Sequence, residues 1–476
     1  MERKYVTTRV LELSQITASL ALIYWHIFGM AAFESLGQYA VTYTLILGPL
    51  EGVRFPQLPL IFGYIIYRTE LLGSCSVYAY LLSVILLVVI RQLYGNVDFS
   101  KYPSTPEAPY ACGYRTVRSA KYGNEVLVYY PIEKSRANNE KYEDVEFLTY
   151  GSKTLRGLAK LSFPLLKSGF LGPLIFRQLL GIKLGVYKNA PVDESFQHKK
   201  IIPIFFSHGL ASISFFYSRL LRDLAMWGYL VIALNHQDES CIHTVTSTGD
   251  DIYINLAGTT VHHIEDRPSR TKQLRQREQE LIALIDEFSM KETSEGGILR
   301  RLQLPEWLQL DKEKLTVSGH SFGAKTALRA AFLDKRVKAA LTIDPWMFVH
   351  HQDVLDGVFK VDIPHIAVNS QNYQRVTSFD IYGAINKFFT NSKGTEQEQH
   401  LIKGIYHEEQ TDMCCLTLFE LGIGLGVPFH PRVPQLYYMH GQLWLQFLDK
   451  IGFGTGHKAI EHVEKRCADF LRLNNQ

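Results

Sequence analysis

The segment Gly319-His320-Ser321-Phe322-Gly323 is the part of this chain best suited to covalent chemistry. A serine hydroxyl becomes a useful nucleophile when a base sits beside it and the backbone holds it exposed. The five residues follow a short apolar run, Leu315-Thr316-Val317, and precede a helix-like stretch, residues 324–332. Strand, sharp turn and helix in that order make a nucleophile elbow. The glycines let the chain turn without a side-chain clash. The helix start behind the serine favours negative charge developing on a bound oxygen. An ordinary glycine-flanked turn would fit the five residues alone; the strand and helix around them argue against it.

Ser321 then needs a base, and the base needs an orienting acid. The next apolar run ends in Ile343-Asp344-Pro345, which puts Asp344 at a strand tip and makes it the leading acid. Gly404-Ile405-Tyr406-His407-Glu408 offers His407 as the base. On position alone His350, His351, His365, His400, His430 and His440 compete with it. The order serine, acid, histidine is that of the α/β-hydrolases. Two backbone N–H groups should receive the reacting oxygen. One is that of Phe322; the other, from Ser207-His208-Gly209-Leu210, is that of Leu210. His208 and Gly209 are expected in the substrate loop. Trp346, Met347 and Phe348 either line an acyl pocket or pack inside.

The elements that must carry these residues alternate. Apolar runs at 201–206, 229–234, 315–317, 338–343 and 365–368 read as buried parallel strands. Residues 218–226 and 271–288 read as helices, the second charged with an apolar side. The expected architecture is α/β: an α/β-hydrolase fold with a mostly parallel central sheet over residues 111–476.

Residues 1–93 have another character. Residues 14–33 and 71–90 contain no Lys, Arg, Asp or Glu. A helix rises about 1.5 Å per residue, so about 20 residues cross an apolar core of about 30 Å. Shorter apolar runs, 38–50 and 58–67, lie between them, separated by Glu51, Arg54 and Pro56. A signal peptide would account for the first run but not for the last. The expectation is an N-terminal helical transmembrane region of three or four spans, hence a multi-pass integral membrane protein. His26 reads as an interhelical packing residue. Arg3, Lys4 and Arg9 favour a cytoplasmic N-terminus; Arg91 and Lys101, beyond the last run, agree with that if the spans are even in number. Residues 94–110, with three prolines, read as a linker.

Composition narrows the chemistry. A net charge of +3 over 476 residues gives no reason to expect nucleic acid. The 6 cysteines form no C-x-x-C pair and show no metal-ligand spacing, so neither a metal nor another cofactor is expected. Residues 155–187 are apolar with spaced Lys and Arg and no acid, as suits helices lying at a lipid surface. Phe163, Leu165, Leu166 and Phe170 are the insertion candidates there; a core helix hairpin is the alternative.

Taken together, these segments resemble the platelet-activating factor acetylhydrolases of the plasma and intracellular type, also called lipoprotein-associated phospholipases. The similarity rests on Phe206-Ser207-His208-Gly209-Leu210, His236-Gln237-Asp238, Arg275-Gln276-Arg277, Gly319 to Gly323, Asp344 to Phe348 and the His407 loop, over roughly residues 105–450. It implies an esterase that removes acetyl, short or oxidised sn-2 acyl groups from phospholipids without calcium. It also implies Ser321, Asp344 and His407 as the triad. Ala324 stands where the family usually has glycine, the plasma enzyme lacks the multi-span N-terminus, and the match weakens past His407. The partners implied are a phospholipid and the bilayer. An esterase or lipase acting on neutral lipids or soluble esters keeps the same machinery; a non-catalytic membrane scaffold is the reading from another class.

Overall fold

The computed structural model describes residues 10–48, 57–94, 107–137, 141–162, 179–180, 182–255, 265–290, 297–392, 396–413, 433–457 and 471–473. Chain contacts divide the molecule into two units. One gathers Met1–Tyr102, Glu146–Ile182 and Met413–Pro431; the other gathers Pro103–Val145, Lys183–Asp412 and Arg432–Gln476.

The first unit holds helices α1 (Val10–Ile27), α2 (Ala31–Leu47), α3 (Gln57–Thr69) and α4 (Ser76–Tyr94). The charge-free run at 14–33 is not one helix. Gly29 takes a positive φ of 66° and turns the chain, so Phe33 falls in α2. Among the described residues, α1 is the one helix long and apolar enough to cross a membrane, with a mean hydropathy of 1.2. A shorter apolar helical stretch runs over Gly73–Val89. The 13 residues of α3 rise about 20 Å, short of an apolar core of about 30 Å. Of the three or four spans expected from the sequence, one helix among the described residues meets both criteria by itself.

This unit buries an apolar cluster that includes Leu22, Val41, Leu60, Val84 and Leu87, and beside it polar side chains bonded between helices. Gln15 Nε2 donates to Thr44 O at 3.0 Å, and Gln57 Nε2 donates to Gln15 Oε1 at 3.0 Å. Tyr80 OH donates to Ser19 Oγ at 2.7 Å. Tyr67 OH donates to Glu34 Oε1 at 2.5 Å, and His26 Nδ1 meets the same oxygen at 2.8 Å, so His26 does pair between helices. Among the described residues, every large exposed hydrophobic except Met290, Leu333, Leu355 and Val358 lies between Val10 and Val89.

The second unit is built on a sheet. Its strands are β1 (Ala111–Arg118), β2 (Glu125–Ile132), β3 (Asp144–Glu146), β4 (Lys183–Lys188), β5 (Pro203–Ser207) and β6 (Leu230–Leu234). After the separate ribbon of β7 (His243–Val245) and β8 (Asp251–Tyr253) come β9 (Thr316–His320), β10 (Ala339–Ile343), β11 (His365–Ser370), β12 (Gln397–Ile402) and β13 (Leu471–Leu473). The order across the sheet is β13-β12-β11-β10-β9-β5-β6-β2-β1-β4-β3. From β6 to β12 all neighbours are parallel, whereas β2 with β6, β1 with β2, and β12 with β13 are antiparallel. The mixed α/β architecture with a mostly parallel sheet thus matches the sequence expectation.

Three helices matter for the site: α5 (Ser218–Met226), α6 (Arg267–Ser289) and α7 (Phe322–Leu333). Helix α6 buries Leu274, Leu281, Leu284, Ile285 and Phe288, an apolar stripe at helical spacing. Phe288 meets Phe205 of β5 edge to face, with ring centroids 5.5 Å apart. The same helix also buries Arg270, Arg277 and Glu280, which its charged sequence did not announce.

The loop after β12 is tied to the start of α5. Arg219 N donates to Asp412 Oδ2 at 3.1 Å, and Asp412 N donates to Phe216 O at 2.6 Å. Burial pushes the Asp412 carboxyl up to about 7, against the pull of Arg219 and Arg222. The folded protein therefore holds a proton that the unfolded chain releases near pH 4. This stabilisation is complete below pH 4 and is lost as pH rises towards about 7. Thermal melting across pH 4.5–8 should show wild type falling progressively behind Asp412→Asn; parallel curves would contradict the assignment. A second prediction concerns the elbow. A Cβ on residue 323 would overlap the Ser207 carbonyl and lie 2.6 Å from His208 O. Gly323→Ala should cost about 3 kcal/mol in urea unfolding; a cost under about 1 kcal/mol would show that the two segments can part.

Candidate active site

Ser321 sits between β9 and α7 at φ 56° and ψ −118°, a strained conformation for a residue with a side chain. Its N–H donates to Ile343 O at 2.9 Å, and its carbonyl accepts from Trp346 N at 3.1 Å. The elbow is closed by two backbone approaches. A Cβ on residue 319 would lie 2.8 Å from Ala324 N, and residue 323 packs against the end of β5. Only glycine fits either place.

Asp344 leaves β10 at a positive φ of 45° and is fully buried. Its Oδ1 accepts from Ser370 N at 2.7 Å, and its Oδ2 from Ser370 Oγ at 2.5 Å. The same Oδ2 lies 2.9 Å from His407 Nδ1. His407 Nε2 lies 2.9 Å from Ser321 Oγ. With Asp344 accepting, Nδ1 carries the ring proton, and Nε2 presents its lone pair to the serine hydroxyl. His407 opens a short turn whose Glu409 accepts from Tyr406 N at 2.7 Å. Tyr373 stacks on the imidazole, with centroids 4.2 Å apart and planes 9° apart. The three sequence candidates thus come together from three separate strand ends.

Among the described residues, the competing histidines have other surroundings. His350 pairs with Asp353 at 2.6 Å, and His400 with Glu398 at 3.1 Å. His365 Nδ1 faces Ile363 O at 2.8 Å. His351 packs on Phe379, with centroids 4.6 Å apart, and His440 is buried in the helix Val433–Lys450. His430 lies outside the described residues.

The loop after β5 lies against Ser321. A Cβ on residue 209 would be 3.4 Å from Ser321 Cβ and 3.3 Å from His320 Nδ1. Gly209 N–H donates to Tyr217 OH at 3.1 Å, so the phenol hydrogen is free to donate to His320 Nδ1 at 2.8 Å. Burial first, and then His407 and His440, hold His320 well below the usual imidazole range. Leu210 follows, half-buried, with its N–H in the loop expected to receive the reacting oxygen. His208 does not face a substrate. It is fully buried, its Nε2 accepts from His236 N at 3.2 Å, and its Nδ1 meets Gly209 O at 2.8 Å. Both ring nitrogens are consumed by the backbone.

Trp346 and Phe348 resolve towards packing. Both are buried and stacked on each other at 5.2 Å, and Trp346 meets Phe322 edge to face at 5.6 Å. They buttress the residue whose amide adjoins Ser321. Phe163, Leu165, Leu166 and Phe170 lie outside the described residues. His320, Asp344 and His407 are close enough to share a metal ion, but Asp344 already serves Ser370 and His407. Sequence reasoning missed Ser370 and Tyr373. Their signal was position: Ser370 ends β11 and Tyr373 follows it, on the edge that carries Asp344.

A family model described as platelet-activating factor acetylhydrolase, isoform II, matches residues 91–452. Platelet-activating factor acetylhydrolase of Cavia porcellus is 29% identical over 263 residues, covering 52% of this chain and 56% of that protein. That of Bos taurus is 26% identical over 238 residues, covering 45% of this chain and 49% of that protein. The chain thus spans about half the length of the curated relatives it matches. A ferulic acid esterase from Streptomyces cinnamoneus superposes with a TM-score of 0.49 at 16% identity, over 78% of this chain and 98% of that one. With the family model spanning most of its length, this chain belongs to the platelet-activating factor acetylhydrolase, isoform II, family.

Proposed function

We propose that this chain is a carboxylic ester hydrolase of the α/β-hydrolase class that acts through Ser321, His407 and Asp344. One observation carries the reading: a serine on a strained elbow, 2.9 Å from an imidazole that is itself 2.9 Å from a buried carboxylate. In this mechanism Ser321 Oγ attacks the ester carbonyl while His407 Nε2 takes its proton. The oxygen of the tetrahedral intermediate receives the N–H groups of Phe322 and Leu210. His407 then gives the proton to the leaving alcohol, and the acyl group stays on Ser321. Water, activated by the same imidazole, releases it as an acid. Asp344 keeps the ring in one tautomer and stabilises its charged form. No step needs calcium.

The substrate we propose is the sn-2 acetyl or short or oxidised acyl ester of a phospholipid. Membership of a family named for platelet-activating factor supports it, and so does a unit that exposes large apolar side chains. We further propose that residues 1–93 anchor the enzyme in a bilayer as a multi-pass region, with residues 94–110 as linker and the hydrolase beyond. Large apolar side chains exposed over residues 10–89, with buried polar groups bonded helix to helix, suit lipid surroundings.

Two measurements test this. The full chain in detergent should hydrolyse 1-alkyl-2-acetyl-glycerophosphocholine, and Ser321→Ala should lower kcat at least about 10⁴-fold with its melting temperature kept. Hydrolysis retained in Ser321→Ala would sink the mechanism; turnover of neutral esters alone would discard the phospholipid. Expressed in cells, the full chain should remain in the membrane pellet after alkaline carbonate extraction, with its N-terminus intact. Release into the supernatant, or cleavage near Gly29, would replace the anchor with a signal sequence.

A further inference from the structure

We infer that Arg277, acting with His208, is the positioning residue of the oxyanion-binding peptide, an inference that rests on the hydrolase reading above. The peptide concerned is Gly209–Leu210, whose N–H is the second donor to the substrate oxygen.

Arg277 comes from α6 and is completely buried. Its Nη1 donates to His208 O at 2.7 Å, and its Nη2 reaches Gly209 O at 3.5 Å. Its Nε donates to Asp238 Oδ2 at 2.8 Å and to Ser240 Oγ at 3.1 Å. The guanidinium plane also rests over Phe322, 4.5 Å from the ring centroid. Phe322 carries the first oxyanion donor, so a single side chain touches both segments that supply donors.

The tautomer of His208 follows from its partners. Its Nε2 accepts the His236 N–H, so the ring proton sits on Nδ1 and is donated to Gly209 O at 2.8 Å. The Gly209 carbonyl is thus reached by His208 at 2.8 Å and by Arg277 at 3.5 Å, and it belongs to the amide whose N–H is the proposed second donor. A hydrogen bond at one end of an amide strengthens the donor at its other end. The far side of the loop is fixed as well. Ala211 holds a positive φ of 56°, and its N–H donates to Ser240 O at 2.9 Å.

The choice of arginine matters. A buried cation needs a partner, and Asp238 supplies it. A lysine could also pair with Asp238. It could not span Asp238, Ser240 and the His208 carbonyl at once, since only the planar fork has donors in those directions. A residue serving stability alone would need the ion pair and not the loop carbonyls.

The test uses the full chain in detergent as wild type, Arg277→Met and Arg277→Lys. We would measure kcat and KM on an acetyl ester, inhibition by a trifluoromethyl ketone, and thermal melting. The ketone adds to the serine and leaves an anion where the ester oxygen would be. Arg277→Met should lower kcat by about 10²- to 10³-fold, leave KM within about 3-fold, and weaken ketone inhibition in step with kcat. Arg277→Lys should recover part of each. A folded Arg277→Met with kcat within about 3-fold of wild type, or with its loss in KM alone, would overturn the inference. So would failure of both variants to melt cooperatively, which would make Arg277 structural. A silent wild type would instead fail the hydrolase reading itself, whereas active wild type with unimpaired Arg277→Met fails only this inference.

Discussion

The carbonyl of Ser207 occupies the place where a side chain on residue 323 would have to be. That approach ties the end of β5 to the first turn of α7, and much else follows from it. It brings the loop at Gly209 to the flank of Ser321. It forces the chain from β9 into α7 through a conformation that leaves Ser321 at φ 56°. It also puts the amide of Phe322 at the start of a helix, where negative charge is favoured. Ser321 and the loop at Gly209, the proposed nucleophile and oxyanion loop, are therefore parts of one packing solution.

Around that turn the parallel sheet supplies the remaining groups from strand tips. Asp344 leaves β10, Ser370 ends β11, and His407 follows β12. Neighbouring parallel strands end on the same edge, so residues far apart in sequence meet within hydrogen-bond distance. Behind the tips lies a buried polar layer. Ser207 Oγ meets His236 Nε2 at 2.8 Å, His236 Nδ1 meets Glu280 at 2.6 Å, and Arg277 pairs with Asp238. Burial pushes the His236 imidazole down and the Glu280 carboxyl up. Networks of this kind fix geometry when every member is satisfied.

The sequence was most legible where chemistry and periodicity coincide. The elbow residues and the apolar runs at 201–206, 229–234 and 338–343 needed only local pattern, and each falls on a strand within a residue or two of its expected place. Asp344 was readable as a strand tip. His407 was not separable by position from its rivals, because what distinguishes it is proximity to residues 63 and 86 positions away. Ser370 and Tyr373 carried no motif for the same reason. His208 misled, since its ring turns from the site to brace its own loop. In helix α6 the charged residues that turn inward carried no local signal: Arg277 and Glu280 are buried beside partners that are buried too. In the first unit, charge-free length concealed the break at Gly29.

The central claim is that Ser321 is an activated nucleophile, and the most direct measurement is where a fluorophosphonate attaches. The full chain in detergent would be treated with the reagent, digested, and the adduct located by mass spectrometry. The account predicts a single stoichiometric adduct on Ser321, abolished by unfolding the protein before treatment. A well-folded chain that takes up no reagent, or takes it up at another serine, would contradict it.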